Sequence, residues 1–183
     1  MLVRYFILIC ALATGWGAVA LAQGSDRVTD AIGLLEAGVI CAPPSIGTRE
    51  APDTVAGTTH VIEDVPPFVS TGRVVPAVLG IGFGVRAGMA GDVGQDGVTM
   101  TVTHPSFAQS GATEQSFTTY IGPQDTPGVT FYQFDYGYEL ALGEWVMTAS
   151  VGDVMLYEVT FTVVSPTALP QLADVCGYED LLS

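Results

Sequence analysis

The chain has 183 residues, with 19 Asp and Glu against 5 basic residues, all arginine, so its formal net charge is −14. That length suits one domain, and the absence of lysine excludes Schiff-base chemistry, a pyridoxal site and a P-loop. The acidic balance argues against nucleic acid, whose phosphates are held by clustered Lys and Arg, and it leaves no cationic run for an anionic membrane surface.

Residues 1–22 read as an export signal. Arg4 gives the positive start, Tyr5 to Ala22 form an uncharged apolar run, and Ala20-Leu21-Ala22 is a small-x-small cleavage site. Cleavage leaves Gln23 first in the mature chain, which is expected to be periplasmic or secreted with no membrane insertion. Cys10 lacks the small residue before it that a lipoprotein signal carries. Residues 23–183 are then a single domain holding two cysteines, Cys41 and Cys176. In an oxidising compartment such a pair reads as a disulfide. It would enclose nearly the whole domain, and the chain-entropy model assigns a loop of that length up to about 5 kcal/mol.

The segment Asp30 to Cys41 is expected to be the first strand, although Val28, Ile32, Leu35 and Val39 also have helical spacing. Residues Ala42 to Thr59 read as a loop, and Val61 to Val69 as a short edge strand interrupted by Pro66-Pro67. From Leu79 to Met89, glycines recur at every second position. A dinucleotide loop needs G-x-G-x-x-G between strand and helix; spacing of two instead sets Gly80, Gly82, Gly84 and Gly88 on one strand face. Leu79, Ile81, Phe83, Val85 and Ala87 lie on the other. The bare face would let a covering loop or an aromatic side chain approach closely.

Gly88 to Gly97 reads as a loop. Its Asp92 and Asp96 fall short of the six to eight oxygens of a Ca²⁺ site and are read as an acidic turn tip, with no metal assigned. Val98, Met100 and Val102 alternate with threonines in a half-buried strand, and Phe117, Thr119 and Ile121 suggest another. Tyr132, Phe134, Tyr136 and Tyr138 are placed on one face. Exposed, that face would stack on sugar rings, with Asp135 and Glu139 at its margin; buried, it would be core beside the glycine strand. Trp145, Met147, Ala149 and Val151 face one way, Gly152-Asp153 makes a type II′ turn, and Met155, Tyr157, Val159, Phe161 and Val163 return. Thr167 to Cys176 reads as a short helix with Gly177 as its stop, stapled to the first strand. Many short strands with turn punctuation give an all-β fold, an immunoglobulin-like antiparallel β-sandwich with a short C-terminal helix.

No catalytic residue or cofactor is assigned. His60 and His104 are the only histidines, and neither lies in a nucleophile elbow or a zinc spacing. A hydrolase using His104 stays open as an alternative, because triads are assembled by folding; it needs a Ser or carboxylate within hydrogen-bond reach. The main reading is a non-catalytic module that binds an envelope protein or has a structural role there. The other alternative is a glycan-binding module using Tyr132, Tyr136 and Tyr138 with Asp135 and Glu139.

The runs Leu34-Leu35-Glu36-Ala37-Gly38 before Cys41, Gly82-Phe83-Gly84-Val85-Arg86, Thr103-His104-Pro105, Glu139-Leu140 with Gly143-Glu144-Trp145, and Phe161-Thr162-Val163 together carry a likeness. They resemble a domain-of-unknown-function family of small exported bacterial proteins, over roughly residues 30–165. The resemblance implies a secreted β-sandwich and carries over no active-site residue.

Overall fold

The computed structural model describes residues 26–176. The expected export signal and Gly177 lie outside them. The described residues form eleven strands and no helix long and apolar enough to cross a membrane.

The strands make two facing layers. In the first, β1 (Arg27–Val28) and β5 (Val74–Pro76) lie against β11 (Val154–Val164), followed by β10 (Gly143–Val151), β7 (Gln95–Thr103) and β8 (Glu114–Pro123). The second is β2 (Ile32–Cys41), β6 (Ile81–Met89) and β9 (Gly128–Gln133). Outside both stands a separate exposed ribbon, β3 (Ser45–Glu50) paired with β4 (Thr58–Ile62). The fold is an immunoglobulin-like β-sandwich.

Side-chain alternation explains the layers. Trp145, Met147 and Ala149 of β10 point inward with Tyr157, Val159, Phe161 and Val163 of β11, all 0–1% exposed. Each large apolar side chain among them, taken from water, contributes about 1.5–3 kcal/mol. Gly152 has φ +56° while Asp153 stays at negative φ, so the two-residue turn between Val151 and Val154 is of the II′ class. Leu156 is the extra residue of a bulge opposite Ala149 and Ser150, and its carbonyl accepts from both the N–H and the hydroxyl of Thr29. On β7, Val98, Met100 and Val102 are buried beneath an outer row of threonines.

Phe83 of β6 joins the layers. Its ring lies 4.6 Å from Phe161 and 5.6 Å from Trp145 of the first layer, and 5.9 Å from Phe134. Ile81, Val85 and Ala87 share that face, whereas Leu79 precedes the strand and is 41% exposed, a correction to the expected stripe. The glycine face is covered by a loop. Gly38 of β2 pairs with Gly84, and a Cβ on Gly38 would strike the carbonyl of Ser70 and the Phe68 ring. Val69 and Ser70 bond both backbone groups of Val39. The aromatic stripe does not fill this face: Tyr132 and Phe134 lie on the core side, the first stacked on Phe83 and the second tilted against it.

Three further expectations change. Residues 45–50 are strand β3, not loop, and the strand expected at Val61 to Val69 is instead β4, Thr58–Ile62, which pairs with β3. The C-terminal helix is one turn, Pro170–Ala173, after a 3₁₀ turn at Pro166–Ala168. Cys176, just beyond it, is bonded to Cys41 at the end of β2, with Cα atoms 5.4 Å apart. This staple closes most of the chain into one loop and accords with an oxidising compartment.

Candidate binding site at the open flank of the sandwich

β8 serves both layers. Val98 to Thr103 of β7 pair with Glu114 to Thr119, and then Gly122 and Pro123 pair in parallel with Gly88 and Met89 of β6. From the turn that follows, β9 returns along β6 only. β8 and β9 therefore splay apart from their shared turn, leaving a wedge. A hydroxyl contact, Thr119 Oγ1 to Thr130 Oγ1 at 3.1 Å, bridges its narrow part.

The wide end is filled by polar side chains. Gln115 is 4% exposed, and its Oε1 accepts from the Val55 N–H at 2.8 Å, which fixes the amide orientation. Its Nε2 then donates to the Tyr132 hydroxyl at 3.0 Å and to His104 Nε2 at 3.3 Å. The other imidazole nitrogen, Nδ1, lies 2.9 Å from the Pro105 carbonyl. A carbonyl only accepts, so Nδ1 carries the proton and Nε2 is the acceptor. Burial favours this neutral form and pushes the His104 pKa below 6.5, while the bond to Pro105 opposes the shift. The ring is stacked on Phe107 at 3.9 Å.

Tyr132 in turn donates to Glu139 Oε1 at 2.7 Å. Glu139 Oε2 accepts from the N–H groups of Asp135 and Tyr136 at 2.7 and 2.8 Å, closing the 3₁₀ turn Gly137–Glu139. Burial raises the Glu139 pKa against these three bonds, which stabilise the carboxylate. Burial also raises the Tyr132 phenol, followed by the nearby Glu139 charge, so that hydroxyl stays protonated and donating.

The β3–β4 ribbon covers this flank. His60 Nε2 meets Asp135 Oδ2 at 2.8 Å, and Asp53 carries the carbonyl that takes the Ser116 N–H at 3.1 Å. Two hollows result. One, of about 320 Å³, lies between the ribbon and β8/β9, reaching Phe131, Gln133 and Glu139. The other, of about 680 Å³, runs along β8 beside residues 49–53.

The sequence-derived residues are thus divided. Tyr132 and Glu139 belong to the interior network, and the phenol and carboxylate oxygens already have partners. Asp135 and Tyr136 are exposed, and Tyr136 is stacked on the partly buried Tyr138 at 5.3 Å and 6°. The four aromatic positions do not share a face, because the strand ends at Gln133. His104 has a carbonyl and an amide at its nitrogens, with neither Ser nor carboxylate. Asp92 and Asp96 are exposed, and no group of three or more His, Cys, Asp or Glu among the described residues is arranged to hold a metal. Sequence reasoning missed Gln115, whose one signal was a polar residue in phase with Phe117, Thr119 and Ile121.

A family model described as a domain of unknown function, DUF3859, matches residues 29–163. The chain belongs to this family. The DUF3859 domain so defined contains the whole flank and Cys41 but not Cys176. No curated protein matches the chain. Among solved structures, it is similar to an immunoglobulin-like protein from Pseudomonas aeruginosa, at 23% identity and TM-score 0.48, covering 78% of this chain and 99% of that one.

Proposed function

We propose that this DUF3859 protein is exported and works without catalysis, as a β-sandwich that binds another protein of the cell envelope. The observation that carries the reading is the closed hydrogen-bond chain from His104 through Gln115 and Tyr132 to Glu139. The buried groups best suited to acid–base work hold the two layers together, so the imidazole faces no nucleophile. The outside of the same flank offers strand edges and hollows instead.

The test has two parts. The full chain is expressed, fractionated and sequenced from its N-terminus, and the processed protein is incubated with ester, peptide and glycoside substrates. Export with Gln23 first and no turnover above blank are expected. Retention in the cytoplasm, or turnover abolished by His104→Ala, overturns the reading.

One observation favours a glycan as the partner: Tyr136, 49% exposed, lies flat against Tyr138. Under that reading envelope polysaccharide quenches tyrosine fluorescence in the parent protein and not in Tyr136→Ala.

A further inference from the structure

We propose that the outer edge of β8 accepts an extended, basic segment of a partner protein as an added strand. This rests on the interaction-module reading and names its partner. Along one side β8 pairs with β7; along the other, pairing begins only at Gly122. Ser116 to Tyr120 therefore present an edge to which no strand is paired, about 13 Å long at the usual rise per residue. Such an edge is a template for strand addition.

The chain's own atoms already mark two rungs on it. The Ser116 N–H leaves β8 outward to the Asp53 carbonyl, and two residues on, the Thr118 carbonyl takes a 3.4 Å contact from the Arg49 guanidinium. Residues two apart on a strand direct their backbone groups to the same side. Asp53 thus stands where an added strand would place a carbonyl, and Arg49 where it would place an N–H. The second contact is long and made by an exposed side chain, so an incoming N–H can displace it.

The hollow of about 680 Å³ runs from this edge, beside residues 49–53, onto the outer face over Thr118 and Tyr120 as far as Thr99 of β7, and gives room to the outward side chains of an added strand. Tyr120, 49% exposed, supplies an apolar ring for alternate side chains. Charge selects the occupant. Glu50, Asp53 and Asp96 line the hollow against the single cation Arg49, on a chain of net charge −14. Among the described residues Arg49 is the one arginine without a carboxylate partner, since Arg27, Arg73 and Arg86 pair with Glu158, Asp26 and Glu36. A second copy would bring a hollow of the same sign to this edge, and like charges disfavour that pairing; Lys or Arg on an extended segment complement it.

The experiment selects displayed random peptides of about twelve residues on the processed protein and measures their affinity for two variants. Thr118→Pro removes the outward N–H at an edge position that tolerates proline. Glu50→Lys with Asp96→Lys reverses the lining charge. Enrichment of Lys and Arg among β-branched residues is expected, with affinity falling roughly tenfold or more in each variant. Should Thr118→Pro not fold by circular dichroism, slower amide exchange at Thr118 in the parent protein on peptide binding replaces that arm. No enrichment, acidic peptides, binding indifferent to the charge reversal, or self-association at this edge overturns the assignment. Peptides that bind elsewhere leave the interaction-module reading standing, whereas substrate turnover removes that reading and not the edge.

Discussion

Gln115→Leu tests whether the polar chain at the wide end of the wedge holds the flank together. The substitution keeps the size of a side chain that is 4% exposed and removes three hydrogen bonds. His104 Nε2, in a ring 6% exposed, loses its donor. Leaving a buried acceptor unpaired costs about 1–3 kcal/mol, and the lost bond to the Tyr132 phenol about 0.5–1.5 kcal/mol. Val55 is exposed, so water replaces the third bond at little cost. A net loss of about 3 kcal/mol follows. At about 2–4 °C per kcal/mol for a domain of this size, the melting temperature should fall by about 6–12 °C. Calorimetry measures that fall, and amide exchange reports the place: residues 51–57, anchored to Gln115 through Val55, should exchange faster than β10 and β11. A fall under about 2 °C, or a uniform rise in exchange, would refute the reasoning. Gln115→Glu refines it. A carboxylate facing His104 Nε2 favours the imidazolium, so the His104 pKa should rise, as NMR titration reads directly.

Trp145→Ala removes a fully buried ring packed against Phe83, Phe107, Tyr132 and Phe134, and should cost about 3–5 kcal/mol by denaturant unfolding; less than about 2 kcal/mol would place the ring outside the core. Reduction of Cys41–Cys176, verified by thiol titration, should lower stability by about 2–5 kcal/mol, and an unchanged transition would show the staple to be idle. His104 sets a pH dependence. Its folded pKa lies below 6.5, so the unfolded chain holds more protons in that window. Its contribution is therefore full above pH 6.5 and is lost as pH falls through the depressed value. Glu139, raised on folding, acts oppositely: its contribution is full in acid and declines as pH rises through its folded value. Subtracting the His104→Phe profile from the parent's isolates the histidine. A difference that stays flat from about pH 7 to about pH 5 would show that this ring is not buried neutral.

Much of the sandwich was legible because burial imposes a period on sequence. β7, β10 and β11 each bury one face, so their apolar residues alternate and their turn falls at Gly152-Asp153. The β3–β4 ribbon was invisible for the converse reason: all six residues of β3 are exposed, no face selects apolar side chains, and its pairing depends on residues a loop away. Alternation also cannot show where a strand ends. By alternation the stripe from Tyr132 to Tyr138 runs on past Gln133, whereas a 3₁₀ turn held by Glu139 takes Tyr136 and Tyr138 off the strand. The site followed the same rule. His104 stands out in the sequence as a residue type, but its chemistry is set by Gln115 and Pro105, and only the fold brings the Gln115 amide to its ring.

The candidate site and the irregularity of the fold have one origin. A sandwich whose edge strand belongs to both layers must hand its hydrogen bonds from one neighbour to the other, and here β8 does so between Ile121 and Gly122. Close approach at that point needs small residues: a Cβ on Gly122 would collide with the Thr126 carbonyl, and one on Gly94 with the Tyr120 phenol. Past the handover, toward Glu114, β6 no longer pairs with β8, and the backbone groups that face away from β7 must find other partners. Polar side chains fill the wedge inside, the ribbon's Arg49 and Asp53 reach two groups outside, and the edge between and beyond them stays open. The feature that interrupts the regular sandwich thus also creates the surface best suited to receive another chain.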